Sequence, residues 1–501
     1  MIEKLKFWSK NDRKSKDSFD SQLLDMDFFC QLTYMSAIAT SGIARSGLFD
    51  YALKLPYISA RYFKKINFVA KMFNHDYSQA CRIVGQKTKE PEVKGLLLRL
   101  SGALDSGEDI ANFMERESHI FSESYGNSYQ RRLELLRKWS DAYVALILTT
   151  ALVTVMSVVS MMIGNVTIIF IVSLSSLTIL VTIFGAWFLY RTAPREFKTH
   201  SLDYRSKEQD IAKSIVKLTL PTVVVVVVVL FVMKLSLGAV MLTAGIFLFP
   251  LGLVSVIDDW KIDKRDIEVA GLFRSLGGVS QAIGATVTEA MGRLDFRSLG
   301  PLKDLVNTLY TRLLAGISPK LCWDRFVCET GSEQVNRGVR IFWDGIALGG
   351  EPQRVGNEAS SFAMKIALLR AQRGQIASGF TWLTIVMHAV LTGLSVFILS
   401  VFTTFSELVK TLLPENSYTD LMSNMPAFGI FADNSTHLKL LHFMVILVII
   451  VLTLANAFAI HSVSGGHIYK LVFYCALTAI ISGAMLLIVP GIVSMMFGIV
   501  S

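Results

Sequence analysis

Seven long apolar runs interrupt the chain, at 142–164, 166–190, 218–233, 235–257, 376–405, 440–460 and 471–500, with hardly a charge inside them. Outside them the pattern changes. Over 23–141 and 258–375 apolar residues recur at helical spacing and strand-like alternation is nearly absent, which predicts helices with one buried face. A run of such length rises about 1.5 Å per residue and spans a hydrocarbon core of about 30 Å. The third run is short, and Lys217 and Lys234 stand where they can snorkel to the two interfaces. Its consecutive valines, Val223 to Val229, do not argue for a strand. In lipid each peptide group must be satisfied internally, and a fully apolar run lacks the alternation of a barrel strand. The expected fold is all-α: a polytopic membrane protein with about seven spans and two cytoplasmic helical-bundle domains.

The pattern divides the chain into a charged N-terminal segment (1–22), a helical domain (23–141), a four-helix membrane block (142–257) with a basic loop at 191–217, a second helical domain (258–375), and a three-helix membrane block (376–501) with a polar loop at 406–439. Only Asn165 separates the first two runs, so they form a tight hairpin. Gly42, Gly47, Pro56, His75 and Gly107 break the first domain into about six helices, and Pro91 and Gly107 bracket one of them as helix start and stop. The last, from about Tyr125, leads Arg131, Arg132, Arg137 and Lys138 straight into the first run. The N-terminal segment lacks a short apolar core with a small-residue cleavage site, so no secretory signal is expected.

Composition narrows the class. With 52% hydrophobic and 18% charged residues, a purely soluble protein is excluded. A formal charge of +9 is explained by cytoplasmic Lys and Arg that orient the spans, without a nucleic-acid partner. Basic residues crowd the 191–217 loop and both helical domains, and are sparse at the Asn165 turn, near Lys234 and over 406–439. The domains and the N-terminus are therefore expected in the cytoplasm, with the C-terminus outside. The 406–439 loop contains Asn434, Ser435 and Thr436, an acceptor pattern for N-glycosylation on its expected external face. Cys30, Cys81, Cys322, Cys328 and Cys475 lack CxxC spacing and read as reduced, mostly buried thiols.

The two helical domains can be superposed along the sequence at an offset of about 242 to 245. Ala37 and Ile38 fall on Ala282 and Ile283, Val93 on Val335, and Gly107 on Gly349. Each copy is followed by a membrane run. With the segments Phe28 to Asp109 and Phe273 to Glu351, and their glycine-ended SGE and LGGE turns, the chain resembles the type II secretion F domain family. Its members are the membrane platforms of type II secretion, type IV pili and the archaellum. Four spans between the domains and three after them, in place of the two and one of short bacterial members, look more like the archaeal platforms. The resemblance implies a non-enzymatic homodimer at a filament base, bound to a cytoplasmic secretion-type ATPase and to archaellin or pilin subunits.

Other chemistries find little support. No G-x-x-x-x-G-K-[ST] loop occurs, so nucleotide hydrolysis would belong to a partner. Asp258 and Asp259 end the fourth run, yet an intramembrane aspartyl peptidase needs a second carboxylate on another span; pairing with Lys261, Lys264 or Arg265 explains them better. No cofactor or metal is expected. A secondary transporter is the alternative, with His388, His442 and Cys475 as its titratable groups near or within spans. The sharper expectation is a basic docking surface for the ATPase, made of Arg191, Arg195, Lys198, Arg205, Lys207, Lys303, Arg312 and Arg325. Small residues Gly185, Ala186, Gly238, Gly245 and Gly252 would let the spans pack closely.

Overall fold

Helix-stop chemistry sets the first domain. The computed structural model describes residues 18–163, 168–202, 204–233, 235–412 and 435–497. The turn at Asn165, Lys234, most of the 406–439 loop with Asn434, and most of the N-terminal segment lie outside the described residues. Helices α1 (Ser18–Ala39), α2 (Arg45–Ala52), α3 (Ala60–Phe73), α4 (Tyr77–Lys87), α5 (Pro91–Ser106) and α6 (Ile110–Ile163) follow in order. Pro91 opens α5, where its missing N–H costs nothing, and Gly107 closes it with φ 74°. Two expected breakers differ: Gly47 lies within α2, and Asn74, not His75, is the left-handed residue ending α3.

The same six-part order returns. α7 (Ile168–Thr192) and α8 (Lys207–Val232) precede α9 (Leu237–Ile283), whose C-terminal part opens the second copy. Then come α10 (Val287–Met291), a 3-10 turn (Phe296–Leu302), α11 (Lys303–Leu314), α12 (Pro319–Thr330), α13 (Glu333–Ala347) and α14 (Pro352–Leu412). The left-handed residues coincide at one offset: Gly42 with Gly284, Asn74 with Gly316, and Gly107 with Gly349. The repeat therefore runs at 242 from the first turn onward, and pairing Ala37–Ile38 with Ala282–Ile283 is three residues out of step.

The chain forms two compact units. The first joins the described residues up to Arg131 with 194–207 and 260–371, so both copies share it. Phe28, Phe273, Trp323, Phe326, Phe342 and Phe362 are fully buried there. Helix α1 of one copy lies on α13 of the other. Arg337 Nη1 donates to Asp27 at 2.8 Å with both side chains 6% exposed, its guanidinium stacks over Tyr57, and Tyr34 Oη donates to Asp344 at 3.0 Å. Burying such charges costs several kcal/mol per ion unless they are paired, so these contacts fix one register for the two copies.

The second unit takes in 132–193, 208–259 and the chain from Gln372, including α15 (Ser435–Ser464) and α16 (Tyr469–Met496). Six helices among the described residues are long and apolar enough to cross a membrane, and the first apolar run continues α6 as helix to Ile163. Gly238, Gly245 and Gly252, seven residues apart, line the face of α9 toward α16. A Cβ at Gly238 would meet Leu486 at 2.9 Å, one at Gly245 the Ala476 carbonyl at 2.9 Å, and one at Gly252 would overlap the Phe473 backbone. This is the small-residue packing that brings helices together where lipid offers no hydrophobic drive between them. Polarity changes at Asp258 without ending α9, and Lys207 to Lys217 belong to α8, so the described residues between α7 and α8, 193–202 and 204–206, are non-helical.

Candidate functional site

The 193–206 loop is stitched to the second domain. Thr199 bridges Ser332, Glu333 N donates to the Lys198 carbonyl at 3.0 Å, and His200 reaches the Cys328 carbonyl at 3.3 Å while Nδ1 accepts from Leu202 N. Burial pushes the His200 imidazole below its usual range, which favours the neutral ring that this one-donor, one-acceptor pattern needs. Tyr204 lies under the Arg325 guanidinium, 4.6 Å from its ring centre.

The structure sorts the expected docking residues. Arg205, Lys207, Lys303 and Arg325 are exposed, and Arg325 joins the loop through Tyr204. Arg191 is exposed at the end of α7, in the second unit, and Arg195 is half-buried. Lys198 is withdrawn from the expected surface: its side chain is 11% exposed and paired with Asp263 at 2.7 Å. Arg312 is engaged by Glu329 in a two-pronged contact of 3.0 and 2.6 Å, and Arg325 approaches the same carboxylate at 3.5 Å. The displayed cations thus concentrate on Arg205, Lys207, Arg325 and Lys303.

Beneath the loop lies a buried node centred on Arg370. Its Nε donates to Glu196 at 2.9 Å, Nη1 to Asp266 at 2.6 Å and to Gln334 at 3.2 Å, and Nη2 to the Phe197 carbonyl at 3.1 Å. Tyr129 donates to Glu196, Ser332 donates to Asp266, and Gln334 Nε2 donates to the Asp266 and Ala363 carbonyls. Burial lifts Asp266 to about 6, against Arg370 and Ser332, which leaves it ionised at neutral pH. Burial opposes the Arg370 charge, but Glu196 and Asp266 outweigh it and hold the guanidinium charged. One arginine thus ties together α6, α9, α13, α14 and the loop.

Sequence inspection missed this node although its signal was present. Ala359, Phe362, Ala363, Ile366 and Ala367 form the buried stripe of α14, and Arg370 occupies its next position. Asp266 interrupts the stripe of Ile262, Val269, Ala270 and Phe273 on α9 in the same manner. A charge where periodicity demands an apolar residue marks a buried ion pair.

Above the node α6 and α14 run parallel, with repeat-related residues level. Arg354 meets Asn112 at 3.0 Å and Glu115 at 2.5 Å, and Lys365 meets Glu123 at 2.8 Å; two of these pairs are 242 residues apart. Between them Glu358 accepts from Ser36 and Ser118, and burial, with Glu115 nearby, lifts its carboxyl to about 7.

In the membrane unit His388 is enclosed. Asn456 Nδ2 lies 3.1 Å from its Nδ1, and its Nε2 reaches Ser482 and the Thr478 carbonyl. Tyr143 completes the set by donating to Asn456 at 2.7 Å. Each polar atom of the ring has a protein partner, the arrangement of interhelical glue between spans. Asp259 pairs with Lys470 at 2.8 Å, and Lys264 lies over Trp260. Arg373 donates to the Ser462 and Val463 carbonyls at the C-terminal end of α15.

Two curated proteins align over much of the chain. Flagella accessory protein J of Methanocaldococcus jannaschii is 24% identical over 323 residues, 62% of this chain. Its counterpart of the same name in Methanococcus voltae is 21% identical over 418 residues, 81% of this chain. The chain is similar to both proteins named Flagella accessory protein J. The alignments span 58% of the first relative's length and 73% of the second's. No family model and no solved structure matches the chain.

Proposed function

We propose that this protein is the membrane platform of an archaellum or type IV pilus-like machine, coupling a cytoplasmic hexameric ATPase to filament assembly or rotation. The observation that carries the reading is the similarity across most of the chain to proteins named for the flagellar apparatus. The helical domains support it: α6, α9 and α14 each pass without interruption from the first unit into an apolar, membrane-length segment. Force delivered to the domains would then travel along hydrogen-bonded helix, with the Arg370 node holding these three helices, α13 and the loop together. The domains and N-terminus face the cytoplasm, the C-terminus lies outside, and Arg205, Lys207, Lys303 and Arg325 face an acidic surface on the ATPase. The chain acts as a homodimer. A transporter is not favoured, since His388 is fully occupied by neighbouring side chains and backbone.

Affinity capture of the full-length protein from native membranes, read by mass spectrometry, tests the reading. A secretion-type ATPase recovered with archaellin or pilin subunits is expected. Recovery of neither from membranes carrying assembled filaments overturns it.

A further inference from the structure

Between the end of α1 and the start of α6 the first copy of the helical domain holds a pocket of about 300 Å³. Leu48 and Phe49 of α2, Leu100 of α5 and Met114 of α6 line it, and all four are buried. Arg45, Glu108 and Asp109 complete the lining where it reaches solvent. The acidic groups there are already engaged. Glu108 is paired with Arg116, and Asp109 caps α6, accepting from Ala111 N at 3.3 Å and from Asn112 N at 3.4 Å. Arg45 is exposed, and among the described residues no group pairs with its guanidinium, which carries five donors.

The second copy packs the same place differently. At the 242-residue offset Phe342 stands for Leu100, Gly356 for Met114 and Val287 for Arg45. Phe342 is fully buried and stacks on Phe273 with ring centres 5.3 Å apart. A Cβ at Gly356 would meet the Gly277 Cα at 2.9 Å, so α9 and α14 touch through their backbones where the first copy interposes the buried Met35 and Met114. An unfilled gap in a domain core costs stability as its volume grows. The pocket and its cation therefore come together in one copy, while the other copy of the same fold has neither the cation nor the wide crossing.

We propose that this pocket is a binding site for a small amphipathic carboxylate, with its apolar body on Leu48, Phe49, Leu100 and Met114 and its acid on Arg45. The volume is at the small end of ligand sites, about 300–1,000 Å³, which selects a short chain or a single ring over a lipid. An acid suits the mouth because both carboxylates there have partners. An ammonium would face Arg45 with like charge, and an alcohol would leave the guanidinium without a counter-ion.

Saturation-transfer NMR on the full-length chain in detergent, corrected for micelles alone, measures the test ligands hexanoate, hexanol and hexylamine. Hexanoate is expected to bind saturably and at least about tenfold more tightly than the other two, as a charge-assisted hydrogen bond provides. Arg45→Gln brings hexanoate down to the level of hexanol. Leu100→Phe, which installs the residue of the second copy, weakens hexanoate and hexanol together by at least about tenfold. Continued shielding of the buried Cys81 from a thiol dye verifies the fold of each variant. Arg45 is exposed, so its variant decides the matter if Leu100→Phe fails that check. No saturable hexanoate binding by the wild type overturns the proposal. So does unchanged hexanoate affinity in Arg45→Gln or in folded Leu100→Phe, or hexylamine binding as tightly as hexanoate.

Discussion

Replacing Arg370 with Leu removes four donated hydrogen bonds, at 2.9, 2.6, 3.2 and 3.1 Å, and strands two carboxylates. Asp266 is 1% exposed and Glu196 9% exposed at the side chain, so neither finds water without disrupting the packing. Breaking a buried pair by deleting one partner costs about 3–5 kcal/mol, and the abandoned Phe197 carbonyl adds about 1–3 kcal/mol. For a unit of this size about 1 kcal/mol lowers the midpoint by about 2–4 °C, so a drop on the order of 10 °C is expected. The protein contains its own reporters. Cys30, Cys81, Cys322 and Cys328 are buried in the first unit, and burial holds the Cys30 thiol up at about 11, so a thiol-reactive dye labels them as that unit opens. The loss should be larger at pH 8 than at pH 5.5, because stranded carboxylates can take up protons at the lower pH. Adding Glu196→Gln and Asp266→Asn to Arg370→Leu removes the uncompensated charge and should restore most of the midpoint. A single variant melting within about 2 °C of wild type refutes the reasoning, as does a triple variant melting as low as the single one.

Glu358→Gln tests the carboxyl held at about 7. The folded state keeps this proton while the unfolded chain releases it near 4.5, so stability falls as pH rises from about 4.5 to 7 and then levels; the variant should gain at most about 3 kcal/mol at pH 8 and nothing near pH 4.5, read as dye-monitored midpoints. Gly252→Leu forces α9 away from Phe473 and should abolish recovery of folded protein in detergent, whereas Leu at the open Gly271 position of the same helix should be tolerated. His388→Leu leaves Asn456 and Ser482 short of a partner, costing about 1–3 kcal/mol by thermal melting in detergent, while filament assembly, scored by electron microscopy, should persist. Lys470→Glu places two carboxylates together at Asp259 and should lower yield; the exchange Asp259→Lys with Lys470→Glu should recover part of it.

The apolar runs, the all-helical class and the repeat were legible in the residues because each rests on local chemistry. Periodicity reports a buried face, a left-handed glycine or asparagine reports a helix end, and an unbroken apolar run reports a span. The glycines at 238, 245 and 252 likewise announced a close helix contact before their neighbour was known. Which cations are on display was not legible. Lys198 and Arg205 sit in one short polar segment with similar neighbours, yet Asp263 claims the first and nothing in the linear pattern distinguishes them. In the linear pattern Arg370 is one more basic residue ahead of a span; only the fold brings Glu196, Asp266 and Gln334, from three other segments, around it. Burial and pairing of a charge depend on what long-range folding brings within a few ångströms, and Coulomb energy rises steeply only there. The sequence by itself determined that the chain carries membrane-length apolar helices and repeats a helical pattern; tertiary structure decided which charges are buried in ion pairs and which stay exposed.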